Sequence, residues 1–251
     1  ANFNALWDYA IYGKYNPTRD KTPVKDLRTM NPQQLVDMLA QLGKMQHTVL
    51  YYGASDLKQL DKLLTKEHPT PAKWAPMPVN KPYKPQLTAQ NEVLIAPYDA
   101  KNIYLRQYNN EGKTWSLAKA PVETLFNQYF GGGMNSIVFQ ELRETRGLAY
   151  NANAFYVTPP KLHNPEYTLM HIISQNDKMM DCIRVFNSIL DTIPQSEAAF
   201  NIAKQSLTKS LQSMRTTREN VLFNYLNLVK QRGLTEPTGL TIYKALPALQ
   251  L

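Results

Sequence analysis

Residues 130–156 read FGGGMNSIVFQELRETRGLAYNANAFY. Apolar residues recur at helical spacing from Met134 to Leu142, which predicts an α-helix over about 135–146. Gly147 is expected to end this helix, because glycine readily adopts the left-handed conformation found at helix C-termini. The residues that follow, 148–157, are predicted as a strand. This stretch is thus predicted as a glycine-rich corner, a helix, a glycine stop and a strand.

Strands and helices are predicted on both sides of this stretch. In chain order, they are strands at 92–96 and 102–108, a helix at 121–130, a strand at 166–174, a helix at 177–193 and a helical segment from a Ser196 cap to about Arg232. A helix of that last length must be braced by the sheet or bent. The order predicts an α+β fold, with a mainly antiparallel sheet and helices packed on one face.

The beginning of the chain contains too few elements for a core of its own. Asn31 is expected to cap a helix that ends at Gly43, residues 48–52 are β-branched and aromatic like a strand, and Ser55 is expected to cap a second helix. Helix, strand and helix cannot bury enough apolar surface to fold independently. Residues 1–68 are therefore predicted to be the tail of a preceding domain.

A proline-rich segment separates this tail from the rest. Six prolines between positions 69 and 85 favour extended chain, which predicts a linker over 69–90. Residues 91–251 then form the C-terminal domain. Its last residues, YKALPALQL, stop without a following strand, so this domain is expected to be truncated.

Composition excludes several classes of protein. A hydrophobic content of 43% with 19% charged residues indicates a folded chain. The one cysteine, Cys182, can form neither an internal disulfide nor a cysteine-built zinc site, and its place on the apolar side of a helix argues against a nucleophile. No apolar run reaches the roughly 18 residues of a membrane span. The compartment stays open, with a bacterial periplasm or cytoplasm favoured.

The formal charge of +8 could suit an anionic partner or simply a basic surface. No helix-turn-helix, zinc-finger or RNA-binding signature accompanies that charge. We therefore expect no nucleic-acid partner.

Gly131, Gly132 and Gly133 allow two interpretations. Their backbone amides, at the start of a helix, could hold an anion or a peptide carbonyl, which makes them candidate substrate-binding residues. Alternatively, they only form a helix-to-helix corner that needs left-handed conformations. No Gly-Lys-Ser/Thr follows them and no strand precedes them, which excludes a phosphate loop and a dinucleotide fingerprint.

The four histidines show no metal-ligand spacing. They are separated by 21, 95 and 8 residues, so no two share a helix face. His171 is in phase with apolar neighbours on a strand, which predicts a hydrogen-bonded core histidine. His47 is interpreted as a residue at a strand boundary.

The order Gly-Gly-Gly-Met, Phe-Gln-Glu-Leu-Arg and Arg-Gly-Leu-Ala-Tyr within 130–156 resembles the signature of the C-terminal half of insulinase/pitrilysin-type zinc metalloendopeptidases. These inverzincins include the mitochondrial processing peptidases. A looser similarity extends over 91–251, and residues 1–68 look like the end of an adjoining homologous domain. The resemblance implies homologous α+β domains paired into two halves, which close like a clamshell around a peptide.

The resemblance also implies where zinc belongs. In this family the N-terminal half carries His-x-x-Glu-His and a distal Glu, which hold zinc and activate water. That motif is absent here, so we expect no cofactor in this chain and no activity from it alone. The implied partners are peptide substrates and the zinc-binding N-terminal half, in the same parent chain or in a partner subunit.

The family's Arg and Tyr that reach across the clamshell to the substrate match Arg143 and Tyr150. The resemblance implies that Tyr150 is catalytic, because its hydroxyl would donate a hydrogen bond to the oxyanion, and that both residues bind substrate. Gly147 reverses the chain between them, so their side chains can converge at one corner.

Two alternatives stay open at this point. Spacing alone would suit Arg143 as a solvated helix-end cation and Tyr150 as a half-buried strand aromatic. The parent could also be a catalytically inactive homologue that serves as a scaffold or partner subunit of a peptidase complex. The presence of both Arg143 and Tyr150 favours the enzyme.

Overall fold

The computed structural model describes residues 2–159, 162 and 164–251. These residues divide into two compact units. The first contains the described part of Ala1–Arg19 with Tyr83–Arg215 and Leu226–Leu251, and the second contains Asp20–Pro82 with Thr216–Tyr225. None of the described helices is both long enough and apolar enough to cross a membrane. The domain boundaries inferred from the sequence remain a prediction.

The helices and strands follow one another along the chain in this order. They are α1 (Asn2–Tyr12), α2 (Val24–Thr29), α3 (Pro32–Leu42), α4 (Leu57–Glu67), β1 (Asn102–Asn109), α5 (Ala120–Phe130), α6 (Ile137–Phe139), a first π-helix (Gln140–Thr145), β2 (Ala149–Val157), β3 (Tyr167–Gln175), α7 (Met179–Asp191), α8 (Glu197–Ser213), α9 (Arg218–Tyr225), a second π-helix (Leu226–Gln231), α10 (Thr238–Ala245) and a 3₁₀ turn (Leu246–Ala248).

The first unit is built on a three-stranded antiparallel sheet in the order β1–β3–β2. Four of its helical elements contact the sheet from one side: α5, α6, the first π-helix and α7. The core between them contains Val138, Leu142, Ile172 and Cys182, which have no exposed surface. The predicted α+β class, antiparallel sheet and helix-covered face are therefore confirmed.

The other face of β1 carries an aromatic cluster contributed by α1. The Arg106 guanidinium lies 4.9 Å from the Phe3 ring centre and 5.3 Å from that of Trp7. His171 lies beside Phe3 and is half-buried there, outside the core in which the sequence placed it. Burial lowers the pKa of His171, the Arg106 charge lowers it further, and a hydrogen bond with the Leu105 backbone opposes both effects.

Two of the predicted strands are wrong. Residues 48–52 and 92–96 have no regular secondary structure and belong to no sheet among the described residues. Val93 and Ile95 are about four-fifths exposed, at 83% and 79%. A β-branched sequence supplies only a preference for extended chain, and a strand forms only where a neighbour pairs with its backbone.

Two of the predicted helices are divided. The helix expected over 135–146 is one α-helical turn followed by the first π-helix. The segment expected from Ser196 to Arg232 begins at the predicted cap, where the Ser196 hydroxyl accepts from the Ala199 N–H, but α8 ends at Ser213. Extended backbone at Met214 interrupts it, and the consecutive β-branched residues Thr216 and Thr217 precede α9.

In the second unit the predicted start of α3 is confirmed. The Asn31 side chain accepts a hydrogen bond from the Gln33 N–H, and Pro32 is the first helical residue. The cap of α4 is Asp56, whose carboxylate accepts from the Gln59 N–H at 2.8 Å, and not Ser55. No described residue of α2, α3 or α4 is buried.

Candidate functional site

The corner between the first π-helix and β2 is shaped by Gly147. This residue has φ +58°, in the left-handed region. Its N–H donates to the Arg143 carbonyl at 3.0 Å, and the Leu148 N–H donates to the Leu142 carbonyl at 2.9 Å. The second bond joins residues six positions apart, so the wide last turn of the π-helix leads directly into Gly147. The predicted glycine stop is confirmed.

Two residues from outside the motif hold this corner. The buried Ser174 hydroxyl donates to the Leu148 carbonyl at 2.5 Å. The Lys178 ammonium donates to the Gly147 carbonyl at 3.2 Å. Sequence reasoning missed both, because β3 and the turn after it reach this corner only through the pairing of β2 with β3.

A β-bulge turns Tyr150 outward. Ala149 pairs with Ser174 and Asn151 pairs with Ile173, so Tyr150 is an extra residue between two consecutive partners. Alternation from the buried Ala154 and Ala152 would place residue 150 on the core face, but the bulge puts Ala149 there instead. Tyr150 is consequently 72% exposed.

Arg143 lies between two aromatic rings. Its guanidinium carbon is 5.0 Å from the centre of the Phe139 ring and 5.6 Å from the centre of the Tyr150 ring. Phe139 is four residues before Arg143, on the same side of the helical segment. The structure therefore brings Arg143 and Tyr150 together, and it adds Phe139, which the four-residue spacing to Arg143 could have indicated.

Both polar ends of this pair are accessible. The Arg143 side chain is 43% exposed, and its one ion pair joins Nε to a Glu144 carboxylate oxygen at 3.5 Å, within the described chain. None of the described residues forms a hydrogen bond with the Tyr150 hydroxyl. The pair thus presents the N–H donors of the charged Arg143 guanidinium and the O–H donor of the Tyr150 phenol side by side to solvent.

The glycine corner is a separate place. No described residue from 131 to 133 has a positive φ, so the left-handed conformations expected there are wrong. Gly131 is required for a different reason: a Cβ at this position would collide with the backbone O and N of Ala154 in β2. The Gly131 N–H already donates to the Asn127 carbonyl at 3.2 Å.

Gly133 lines a small pocket together with Ser136 and Ser206, among others, and neither Arg143 nor Tyr150 lines it. The five candidate substrate-binding residues therefore fall into two groups. The roles of both groups remain predictions.

The described side chains form no cluster of metal ligands. Within the described ranges, no three His, Cys, Asp or Glu side chains come together to hold an ion. The residues present therefore do not fit the zinc of a catalytic centre.

Residues 30–207 match the family described as Peptidase M16 inactive domain. Since this match covers more than half of the chain, the protein belongs to the M16 peptidase inactive-domain family. The zinc of such peptidases belongs to the N-terminal half.

Solved structures share the fold. One is a peptidase M16 inactive domain from Pseudomonas fluorescens, with a TM-score of 0.62, 15% identity, and coverage of 99% of this chain and 59% of that one. A conserved protein from Enterococcus faecalis V583 gives a TM-score of 0.67 at 16% identity, covering 98% and 59%. A protease from Helicobacter pylori gives 0.53 at 12% identity, covering 78% and 50%. Curated protein sequences gave no match.

Proposed function

We propose that this chain is the substrate-binding, zinc-free part of an insulinase/pitrilysin-type zinc metalloendopeptidase that encloses and hydrolyses peptides. The observation that carries the proposal is the bulge at Tyr150, which exposes the phenol and sets it against the Arg143 guanidinium. Bulges beside active sites commonly re-aim a side chain in this way.

Each side chain has a distinct role in this proposal. The Tyr150 hydroxyl donates a hydrogen bond to the oxygen of the scissile carbonyl, and that bond strengthens as negative charge develops on the oxygen. Arg143 donates to a peptide backbone carbonyl and keeps the Tyr150 ring in place by stacking against it. Removing one donor to an oxyanion typically costs about 3 kcal/mol of barrier lowering.

The remaining machinery lies outside this chain. Among the described residues no cluster could hold a catalytic zinc ion, and the chain spans 50–59% of the length of the solved structures it resembles. The parent's hydrolytic activity, its zinc and its peptide substrates therefore belong to the proposal. The partner is the N-terminal peptidase half, within the same parent chain or in another subunit.

Reconstitution tests the proposal. The purified chain is expected to cleave no peptide, whereas adding it to the half that carries His-x-x-Glu-His should raise peptide hydrolysis at least tenfold over that half alone. Hydrolysis by the chain alone would overturn the proposal. Formation of a complex without any gain in hydrolysis would do so too, and would indicate the scaffold subunit instead.

A further inference from the structure

His47 and His68 form a pair that their sequence spacing concealed. They are 21 residues apart, and both belong to the second unit. Their Nε2 atoms lie 2.7 Å apart, with the ring planes inclined at 75°. Both side chains are exposed, so the space next to the two nitrogens is open to solvent.

The hydrogen bonds around His47 fix which nitrogen carries the proton. Its Nδ1 lies 2.8 Å from the Met45 carbonyl oxygen, which can only accept, so Nδ1–H is the donor. In the neutral ring, Nε2 of His47 therefore presents its lone pair to His68, whose Nε2–H donates. Histidine ligands of metals usually have this arrangement, with one nitrogen donating to a backbone carbonyl and the other facing the ion.

The two rings are held by separate, braced segments. Met45 forms a bridge with Ala75, and the Ala75 N–H donates to the Lys44 carbonyl at 2.8 Å. The Trp74 ring lies edge-on against His47, with 5.5 Å between ring centres. His68 ends α4, where its N–H donates to the Leu64 carbonyl at 2.9 Å. The juxtaposition therefore rests on backbone contacts at both ends.

Two exposed imidazole nitrogens this close can serve as neighbouring ligands of one ion. Two nitrogens at about 2.0–2.1 Å from one metal are about 2.8–3.0 Å apart when they occupy adjacent positions at 90°, and about 3.3 Å apart in a tetrahedron. The observed 2.7 Å is the length of the hydrogen bond between the rings, so the two nitrogens move slightly apart when an ion replaces the shared proton. Tetragonal coordination by nitrogen and oxygen is typical of Cu²⁺ and Ni²⁺, and Cu²⁺ has the highest affinity in the divalent series.

We propose that His47 and His68 bind one divalent transition-metal ion, with Cu²⁺ bound more tightly than Ni²⁺ or Zn²⁺. On binding, the His68 proton moves from Nε2 to Nδ1, so both Nε2 lone pairs face the ion, and water fills the remaining positions. This site involves none of the residues proposed for peptide hydrolysis, so neither proposal depends on the other.

Titration of the full chain with CuSO₄, followed by calorimetry, tryptophan fluorescence and electron paramagnetic resonance, tests this site. We expect one equivalent to bind, quenching of Trp74 emission, and hyperfine coupling to two imidazole nitrogens. His47→Gln and His68→Gln should each weaken binding at least tenfold and leave one coupled nitrogen. Trp74→Phe, which keeps an aromatic ring beside His47, should lose the quenching and so assign it to Trp74.

Equal Cu²⁺ affinity in the unchanged protein and in the double variant His47→Gln/His68→Gln would overturn the site. Coupling to fewer than two imidazole nitrogens in the unchanged protein would overturn it as well, and would leave the pair as a hydrogen bond only. Circular dichroism of each variant shows whether it folds, and a folded single variant is sufficient to decide.

Discussion

Arg143 is stabilised mainly by rings rather than by carboxylates. It lies between Phe139 and Tyr150, and its one described ion pair, with Glu144, is long at 3.5 Å. Exposed cation–π contacts contribute about 0.5–1 kcal/mol each, whereas an exposed ion pair contributes little. The guanidinium is therefore oriented by stacking against the rings and retains N–H donors that face solvent.

In the active parent, Arg143→Ala is expected to lower kcat/KM by about 10- to 100-fold, because a hydrogen bond to a charged group contributes about 1.5–3 kcal/mol. The melting temperature should change little, since the side chain is 43% exposed. Arg184→Ala is the control, at an exposed arginine of α7 that pairs with Asp181. Steady-state kinetics and thermal melting separate the two effects, and equal kcat/KM values in the two variants would remove Arg143 from the site.

The Glu123 carboxyl is expected to make the stability of the fold depend on pH. Burial raises its pKa above the usual 4.5, and the Glu166 charge raises it further. A carboxyl with a raised pKa stabilises the fold while it is protonated, at pH values below the usual one, and that stability is lost as the pH rises through the raised pKa. Glu123→Gln should therefore raise the melting temperature at pH 7.

Thermal melts from pH 4 to pH 8 measure this difference. The advantage of Glu123→Gln is expected to shrink steadily toward pH 4, where Glu123 itself becomes neutral. Glu92→Gln, at an exposed loop residue, should show no comparable trend. A Glu123→Gln advantage that stayed constant over this pH range would contradict the assigned cause.

The sequence was informative about residues that act locally and uninformative about those that act across strands. Gly147, Asn31 and Ser196 take the predicted roles because capping involves only near neighbours. Ser174 and Lys178 hold the corner at Gly147 from elsewhere in the chain, so no local pattern indicated them.

At the scale of elements, the bulge in β2 and the first π-helix cooperate. The π-helix widens the last turn before Gly147, and the bulge rotates Tyr150 away from the core immediately after it. Neither irregularity follows from apolar periodicity, because each depends on where one extra residue is placed in a ladder of backbone hydrogen bonds. The sequence therefore predicted the corner at Gly147 but not the β-bulge that exposes the Tyr150 hydroxyl.

The contact between α5 and β2 depends on Gly131. A methyl group there would collide with backbone atoms of Ala154, including its carbonyl carbon at 2.8 Å, and backbone cannot move aside as a side chain can. Gly131→Ala is therefore expected to destabilise the fold by about 1–3 kcal/mol.

Gly133→Ala is the matched control, because the nearest atom to its added methyl group would be the Gln128 side-chain nitrogen at 3.7 Å. Urea unfolding of both variants measures the free energies of unfolding. Equal free energies of unfolding for Gly131→Ala and Gly133→Ala would contradict the claim that Gly131 is required for the close approach of α5 to β2.

At the scale of the molecule, the predicted order of elements gave the fold class, but the pairing of segments had to come from the structure. Residues 48–52 and 92–96 have the composition of strands and form none, since no described strand pairs with them. The histidine pair of the second unit shows the converse, because segments 21 residues apart meet without any local signal. The composition of a segment determines which secondary structure it favours. Contacts with other segments determine whether that structure forms.

The central claim is that the β-bulge exposes the Tyr150 hydroxyl so that it can donate a hydrogen bond to the carbonyl oxygen of the peptide, on which negative charge develops only during the reaction. Its most direct test is steady-state peptide hydrolysis by the zinc-loaded parent enzyme with Tyr150→Phe, beside the control Tyr156→Phe on the same strand. The account predicts that Tyr150→Phe lowers kcat by about 100-fold or more with KM nearly unchanged, and that Tyr156→Phe retains activity. Unchanged kcat in Tyr150→Phe would contradict it.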